Sequence, residues 1–298
     1  MITDIASFDC VYLSYDEPMA EENWAKINSM VPWAVRVHGV KGIDAAHKAA
    51  ASASQTERFI LIDGDNIPDY NFFNQSIDIP EKLFHCVFRW KARNAINALT
   101  YGNGGLSCWT RTFIYDMKTH ELGSNLSTAV EFCWEDNYLS MHDTWSTTYP
   151  NGSALQAFKA GFREGVKLFM DRGVKPSLEN FEKETHPLNM KRLKQWMTIG
   201  ADVENGIYAM QGARIGAYLY MSGKLDVDIN DSSEFLSLLN NYTKDSSFLE
   251  TSSKLIKNLF GWDLPNYDAA GSKFFKEYLP REKNIGLLVT EQEYNRNE

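Results

Sequence analysis

Apolar and polar residues along the first third of the chain alternate in a rhythm of short strands and longer helices. The run Phe8-Asp9-Cys10-Val11-Tyr12-Leu13-Ser14-Tyr15 is rich in β-branched and aromatic side chains and predicts a strand, which Asp16-Glu17-Pro18 ends. A helix is expected over 20–30. Trp33-Ala34-Val35-Arg36-Val37-His38 predicts a second strand, closed by Gly39, and the Ala-rich run from Ile43 to Ala53 a second helix by propensity. Arg58-Phe59-Ile60-Leu61-Ile62 is then a short apolar strand that stops abruptly at Asp63-Gly64-Asp65-Asn66. This strand–helix–strand succession signals an α/β fold with a mostly parallel sheet flanked by helices.

Further on, Leu83 to Trp90 predicts another strand, and Tyr101-Gly102-Asn103-Gly104-Gly105-Leu106 reads as a glycine-rich loop, whose Asn-Gly and Gly-Gly steps favour positive φ. An acidic cluster follows at Glu131 to Asp136. Pro150-Asn151-Gly152-Ser153 marks a break. Beyond it Leu155, Phe158, Phe162, Val166 and Phe169 recur at helical spacing, with Ser153 placed as the N-cap. More helices are expected near 187–199, 202–221, 232–241, 246–260 and 269–278. The pattern therefore divides into an α/β part over 1–150 and a helical C-terminal region over 151–298.

Composition narrows the classes. A chain of 298 residues with 44% hydrophobic and 23% charged residues can bury a core of its own and shows no sign of disorder. No run approaches the roughly 18 apolar residues of a membrane helix, and the N-terminus lacks a basic start with an apolar stretch after it, so a cytoplasmic protein with no membrane partner is expected. Cys10, Cys86, Cys108 and Cys133 are scattered without a C-x-x-C pair and read as buried thiols. Of the net charge of −9, nearly all the excess lies in the first 150 residues, which does not favour nucleic acid at long range unless a local basic patch overrides it.

Candidate chemistry begins where the apolar strand ends. Ligands of open α/β sheets bind at the carboxyl ends of the strands, and Asp63 and Asp65 fall at such an end. Two carboxylates one residue apart offer hard oxygen ligands suited to Mn²⁺ or Mg²⁺, with a diphosphate to complete the shell. A surface turn would also use Asp-Gly, but here the pair is delivered out of a core strand.

The order of first strand, Val37-His38-Gly39-Val40-Lys41-Gly42 leading into an Ala-rich helix, and Phe59-Ile60-Leu61-Ile62-Asp63-Gly64-Asp65-Asn66 resembles family 2 glycosyltransferases of the GT-A type. Glu135-Asp136 stands where that family carries a Glu-Asp pair in its acceptor half. The stretch Trp90 to Glu121, and Ser146 to Ser153 with the helix after it, are similar to glycosyltransferase-like proteins of tailed phages. The interval before Asp63 is shorter than the family's, so a strand and a helix usual there are missing. The resemblance implies transfer of a sugar from a nucleotide-sugar donor to an acceptor hydroxyl. It implies Asp65 as the principal metal ligand, with Asp63 on the metal or the donor ribose. Ser14, Tyr15 and Asp16 would face the base, Lys41 and His47 the phosphates or ribose, and Asp136 or Glu135 would be the general base. On the residues alone, Asp16 could simply end its strand, Lys41 could be solvated, His47 could be structural and Glu135-Asp136 could cap a helix. His142-Asp143 offers a third metal ligand, a role a lone histidine seldom fills.

Arg89-Trp90-Lys91-Ala92-Arg93 alternates cations with an aromatic, a pattern that can hold a nucleic-acid strand with bases stacked on tryptophan, and that also occurs as a solvated face. Together with the phage likeness it points to hydroxymethylated pyrimidines in DNA as acceptor. A surface glycan or protein acceptor, a nucleotidyltransferase, and a non-catalytic virion or binding protein are the alternatives.

Overall fold

The computed structural model describes residues 2–117, 119, 136–171, 174–229, 232–278 and 287–288. They divide between two compact units, one from Met1–Asn94, Thr100–Tyr149 and Arg281–Glu298, the other from Ala95–Leu99 and Pro150–Pro280.

The first unit is α/β. After the short β1 (Ile2–Asp4), β2 (Asp9–Ser14), α1 (Ala20–Met30), β3 (Val35–His38), α2 (Ile43–Ala53) and β4 (Arg58–Asp63) follow one another as the sequence pattern requires. The four apolar residues of β4 are buried on both faces of the sheet. Phe59 and Leu61 pack with Val11, Ala50 and Trp109, whereas Ile60 and Ile62 pack with Cys10, Tyr12 and Phe88. A strand covered on both sides reads as a continuous apolar run, and the two-residue period divides it between two cores.

Beyond β4 come β5 (Asn66–Pro68), β6 (Ser76–Asp78), β7 (Val87–Asn94), β8 (Thr100–Thr110), α3 (Arg111–Asp116) and β9 (Tyr138–Thr148). The main sheet has seven strands in the order β3-β2-β4-β8-β7-β9-β5. Neighbours β3/β2, β2/β4 and β7/β9 are parallel, while β4/β8, β8/β7 and β9/β5 are antiparallel. The sheet is therefore mixed, where a mostly parallel one was expected. The reason is the short excursion 95–99 between β7 and β8: a parallel return needs a crossover of a dozen or more residues. The segment expected as a glycine-rich loop, Tyr101 to Leu106, is part of β8. The sheet also curls. Only Gly64 and Asp65 separate β4 from β5, although β8, β7 and β9 lie between them in the hydrogen-bonding order, so the far edge must return to the end of β4. The Tyr149 N–H donates to the Asp65 carbonyl at 2.7 Å, tying that edge to the turn after β4. A second sheet joins β1, β6 and β10 (Leu287–Leu288).

The second unit is helical: α4 (Ala154–Lys167), α5 (Phe181–Glu184), α6 (Pro187–Thr198), α7 (Gly206–Met221), α8 (Phe235–Tyr242), α9 (Phe248–Phe260) and α10 (Ala269–Tyr278). Ser153 caps α4 as expected, accepting from the Gln156 N–H at 3.1 Å. Helix α7 is buried along most of its length and packs closely against α4. Gly161 and Gly165 face the carbonyls of Ala209 and Ala213, and Gly212 and Gly216 face those of Phe158 and Phe162, so close that a β-carbon at any of the four would run into backbone.

Candidate functional site

Strands β2, β3 and β4 run parallel and end together, with Leu13 opposite Asp63 and Ser14 opposite His38. The turn Asp63-Gly64-Asp65 leaves the sheet at this edge. Its Gly64 carbonyl points inward, where two buried donors meet it: Tyr12 Oη at 2.9 Å and Asn23 Nδ2 at 2.9 Å. On the outer side the Glu17 carboxylate lies over Gly64, itself receiving the Tyr15 N–H at 2.8 Å. Asp65 accepts a hydrogen bond from Thr148 Oγ1 on its Oδ2 at 3.1 Å. Asn66, fully buried, begins β5 and packs so tightly on Gly105 that any side chain there would land on its amide.

The charges of Asp63, Asp65 and Glu17 lie close enough to act on one another. Burial pushes the Asp63 carboxyl up to about 8, with the charges of Asp65 and Glu17 adding to it. Asp65 is raised as well, first by burial and further by Glu17, against the opposing hydrogen bond from Thr148. Among the described residues no basic side chain pairs with Asp63 or Asp65. Like charges gathered in this way need a proton or a cation to coexist. A divalent cation that prefers oxygen fits the donor set of Asp63 and Asp65. The fit is partial from the protein side, because among the described residues no three His, Cys, Asp or Glu side chains are grouped to hold a metal by themselves. Oxygen atoms from a ligand would have to fill the shell.

Beside the turn, Arg36 links the ends of β2 and β3. It grips Glu21 with both terminal nitrogens at 2.9 and 2.7 Å, donates Nε to Ser14 Oγ at 3.1 Å, and reaches His38 Nδ1 at 3.2 Å. Ser14 Oγ is also 3.0 Å from His38 Nδ1. Since arginine can only donate, His38 accepts at Nδ1 and carries its proton on Nε2.

The sequence-based site residues fare unevenly. Ser14 lies at the edge but is buried and engaged by Arg36 and His38; Tyr15 and Asp16 are exposed in the turn after β2. Lys41 is exposed in the loop between β3 and α2. His47 bonds the Ile43 carbonyl through Nδ1 at 2.8 Å and sits edge-on to Trp109 at 5.1 Å, the environment of a packed helix residue. Asp136 requires correction. The registers align Leu139 with Phe88, Phe88 with Cys108, and Cys108 with Ile60. Asp136 therefore stands at the opposite end of the sheet from Asp63, roughly 20 Å away at ~3.3 Å per residue. It cannot act as a base beside Asp63. Glu135 lies outside the described residues. His142 and Asp143 are in the middle of β9, before Thr144, which itself stands three β7 residues from Thr148, about 10 Å by the same rise, and they do not join the pair.

Trp90 is also corrected. It is fully buried and packs edge-on to Phe72 at 4.8 Å, so no base can stack on it. The two-residue period of β7 turns Trp90 inward and sets Arg89, Lys91 and Arg93 together on the other face, where Arg89 lies over the Tyr138 ring at 5.3 Å. Sequence reasoning missed Glu17, Tyr12, Asn23, Arg36 and Thr148 as parts of the site. Only Glu17 left a trace, in the Asp16-Glu17-Pro18 turn next to the first strand.

Comparison of the chain with protein-family models, with curated proteins and with solved structures found no match.

Proposed function

We propose that the chain is a metal-dependent glycosyltransferase of the GT-A type, moving a sugar from a nucleotide-sugar donor to an acceptor hydroxyl. The observation that carries the reading is the Asp63-Gly64-Asp65 turn at the carboxyl ends of parallel neighbours β2 and β4, its two carboxylates without a basic partner among the described residues. Asp63 and Asp65 would hold Mn²⁺ or Mg²⁺ together with the donor's diphosphate. The bound cation would offset charge on the departing nucleoside diphosphate. Tyr12 and Asn23 keep the turn's carbonyl out of the site, so that its side chains face the ligand. The edge formed by Ser14, Tyr15 and Asp16 would receive the nucleoside, and its charged neighbours Arg36 and Glu21 neutralise one another.

For the acceptor, hydroxymethylated pyrimidine in DNA rests on the phage resemblance and on the shared face of Arg89, Lys91 and Arg93. Glycan and protein hydroxyls are the competing acceptors.

The test is a thermal-shift series with nucleoside diphosphates, with and without Mn²⁺, followed by incubation with nucleotide sugars and hydroxymethylated DNA, a glycan or a peptide. Stabilisation that needs nucleotide and Mn²⁺ together, lost in Asp65→Ala, is expected. Binding without any metal requirement would defeat the proposal. Pyrophosphate release from a nucleoside triphosphate would replace it with nucleotidyl transfer.

A further inference from the structure

We propose that Thr148, the last residue of β9, is a positioning residue that fixes the Asp65 carboxylate for a divalent cation. The proposal rests on the reading of Asp65 as a cation ligand. Thr148 and Asp65 are far apart in sequence and meet only because the sheet curls. Consecutive residues of β9's end hold Asp65 twice: Thr148 Oγ1 donates to its Oδ2 at 3.1 Å, and the Tyr149 N–H donates to its carbonyl at 2.7 Å. The pairing of Thr148 with Asn66 sets the register of this clamp. The hydroxyl engages Oδ2 and so sets the rotation of the carboxylate, with Oδ1 the oxygen turned away from Thr148. Thr148 is itself buried, which keeps water from competing for its hydroxyl. Groups that orient a ligating carboxylate commonly change metal affinity tenfold or more when removed.

The opposite side of the turn is held independently, by Tyr12 and Asn23 on the Gly64 carbonyl. Loss of the Thr148 hydroxyl should therefore loosen the Asp65 side chain without releasing the turn. Valine matches threonine in shape and suits a strand, so Thr148→Val isolates the hydroxyl.

The experiment titrates Mn²⁺ into the full chain in the presence of each common nucleoside diphosphate in turn, since the two aspartates do not complete a shell alone, and reads free Mn²⁺ by electron paramagnetic resonance against a protein-free blank, with thermal unfolding recorded in parallel. The expected result is an about tenfold weaker Mn²⁺ affinity in Thr148→Val, recovery in Thr148→Ser, which restores the hydroxyl, and no binding in Asp65→Asn. Thr148→Cys serves in place of Val should that variant fail to fold, and it should also bind weakly. Equal affinity in wild type, Val or Cys, and Ser, with binding still lost in Asp65→Asn, would overturn the positioning role alone. Absence of Mn²⁺ binding in the wild type, or unchanged binding in Asp65→Asn, would overturn the cation reading and the positioning role together.

Discussion

The Glu17 carboxylate occupies the space that a β-carbon on Gly64 would need, 2.5 to 2.7 Å from that position. The glycine between the two aspartates thus leaves room for the Glu17 carboxylate, and its φ is not in the left-handed region. The obstacle is the far end of a flexible side chain, so Gly64→Ala should push Glu17 aside at little cost, below the roughly 1–3 kcal/mol of overpacking a core. Denaturant unfolding should show near-normal stability, and a Mn²⁺-dependent thermal shift should show weakened cation binding. Normal cation binding in this variant would remove Glu17 from the site.

Asp63 gives a pH dependence whose sign is fixed by its shift. Its carboxyl rises from 3.8 to about 8 on folding, so the folded chain holds a proton that the unfolded chain has released. That contribution is complete below about pH 4 and is lost as pH rises toward 8. Asp63→Asn should therefore gain stability relative to the wild type across this window, with the gap largest near pH 8. Melting temperatures of both proteins from pH 4.5 to 8.5, in chelator, would read it; parallel curves would contradict the burial of this carboxylate. Mn²⁺ should narrow the gap by taking the proton's place.

Asp136→Asn should leave Mn²⁺-dependent nucleotide binding and turnover within about twofold of the wild type, the scatter expected of an exposed residue remote from the site. A selective fall in kcat would show that the strand register around β9 is wrong.

Trp90→Ala should cost about 3–5 kcal/mol in an equilibrium unfolding experiment, as for other buried aromatics. If DNA is bound, neutralising Arg89, Lys91 or Arg93 should each flatten the salt dependence of binding by about one unit of slope. A Trp90 variant of normal stability and poor DNA binding would return it to the surface.

In the helical unit, Gly212→Ala should be among the most damaging of small substitutions, because the added methyl meets the Phe158 carbonyl and the backbone of α4 cannot step aside. A melting temperature lowered by several degrees is expected. A neutral outcome would mean that α4 and α7 stand farther apart than described.

Much of the local structure was legible in the chain because it depends on near neighbours. The helix over Ile43–Ala53, the strand ending at Asp63, the Ser153 cap and the C-terminal helices follow from propensity, period and capping, which act over a few residues. The Asp63-Gly64-Asp65 turn was legible for the same reason. What tertiary structure decided depends on pairing between distant segments. Tyr101 to Leu106 carries turn chemistry, yet lies in β8, because pairing with β4 and β7 outweighs the preference of its glycines. Asp136 and Trp90 were misplaced since neither strand register nor the inward face of β7 can be read from spacing alone. Thr148, Tyr12 and Asn23 carry no motif. They matter only because the sheet curls and α1 packs beneath the turn, bringing their donors to acceptors many residues away.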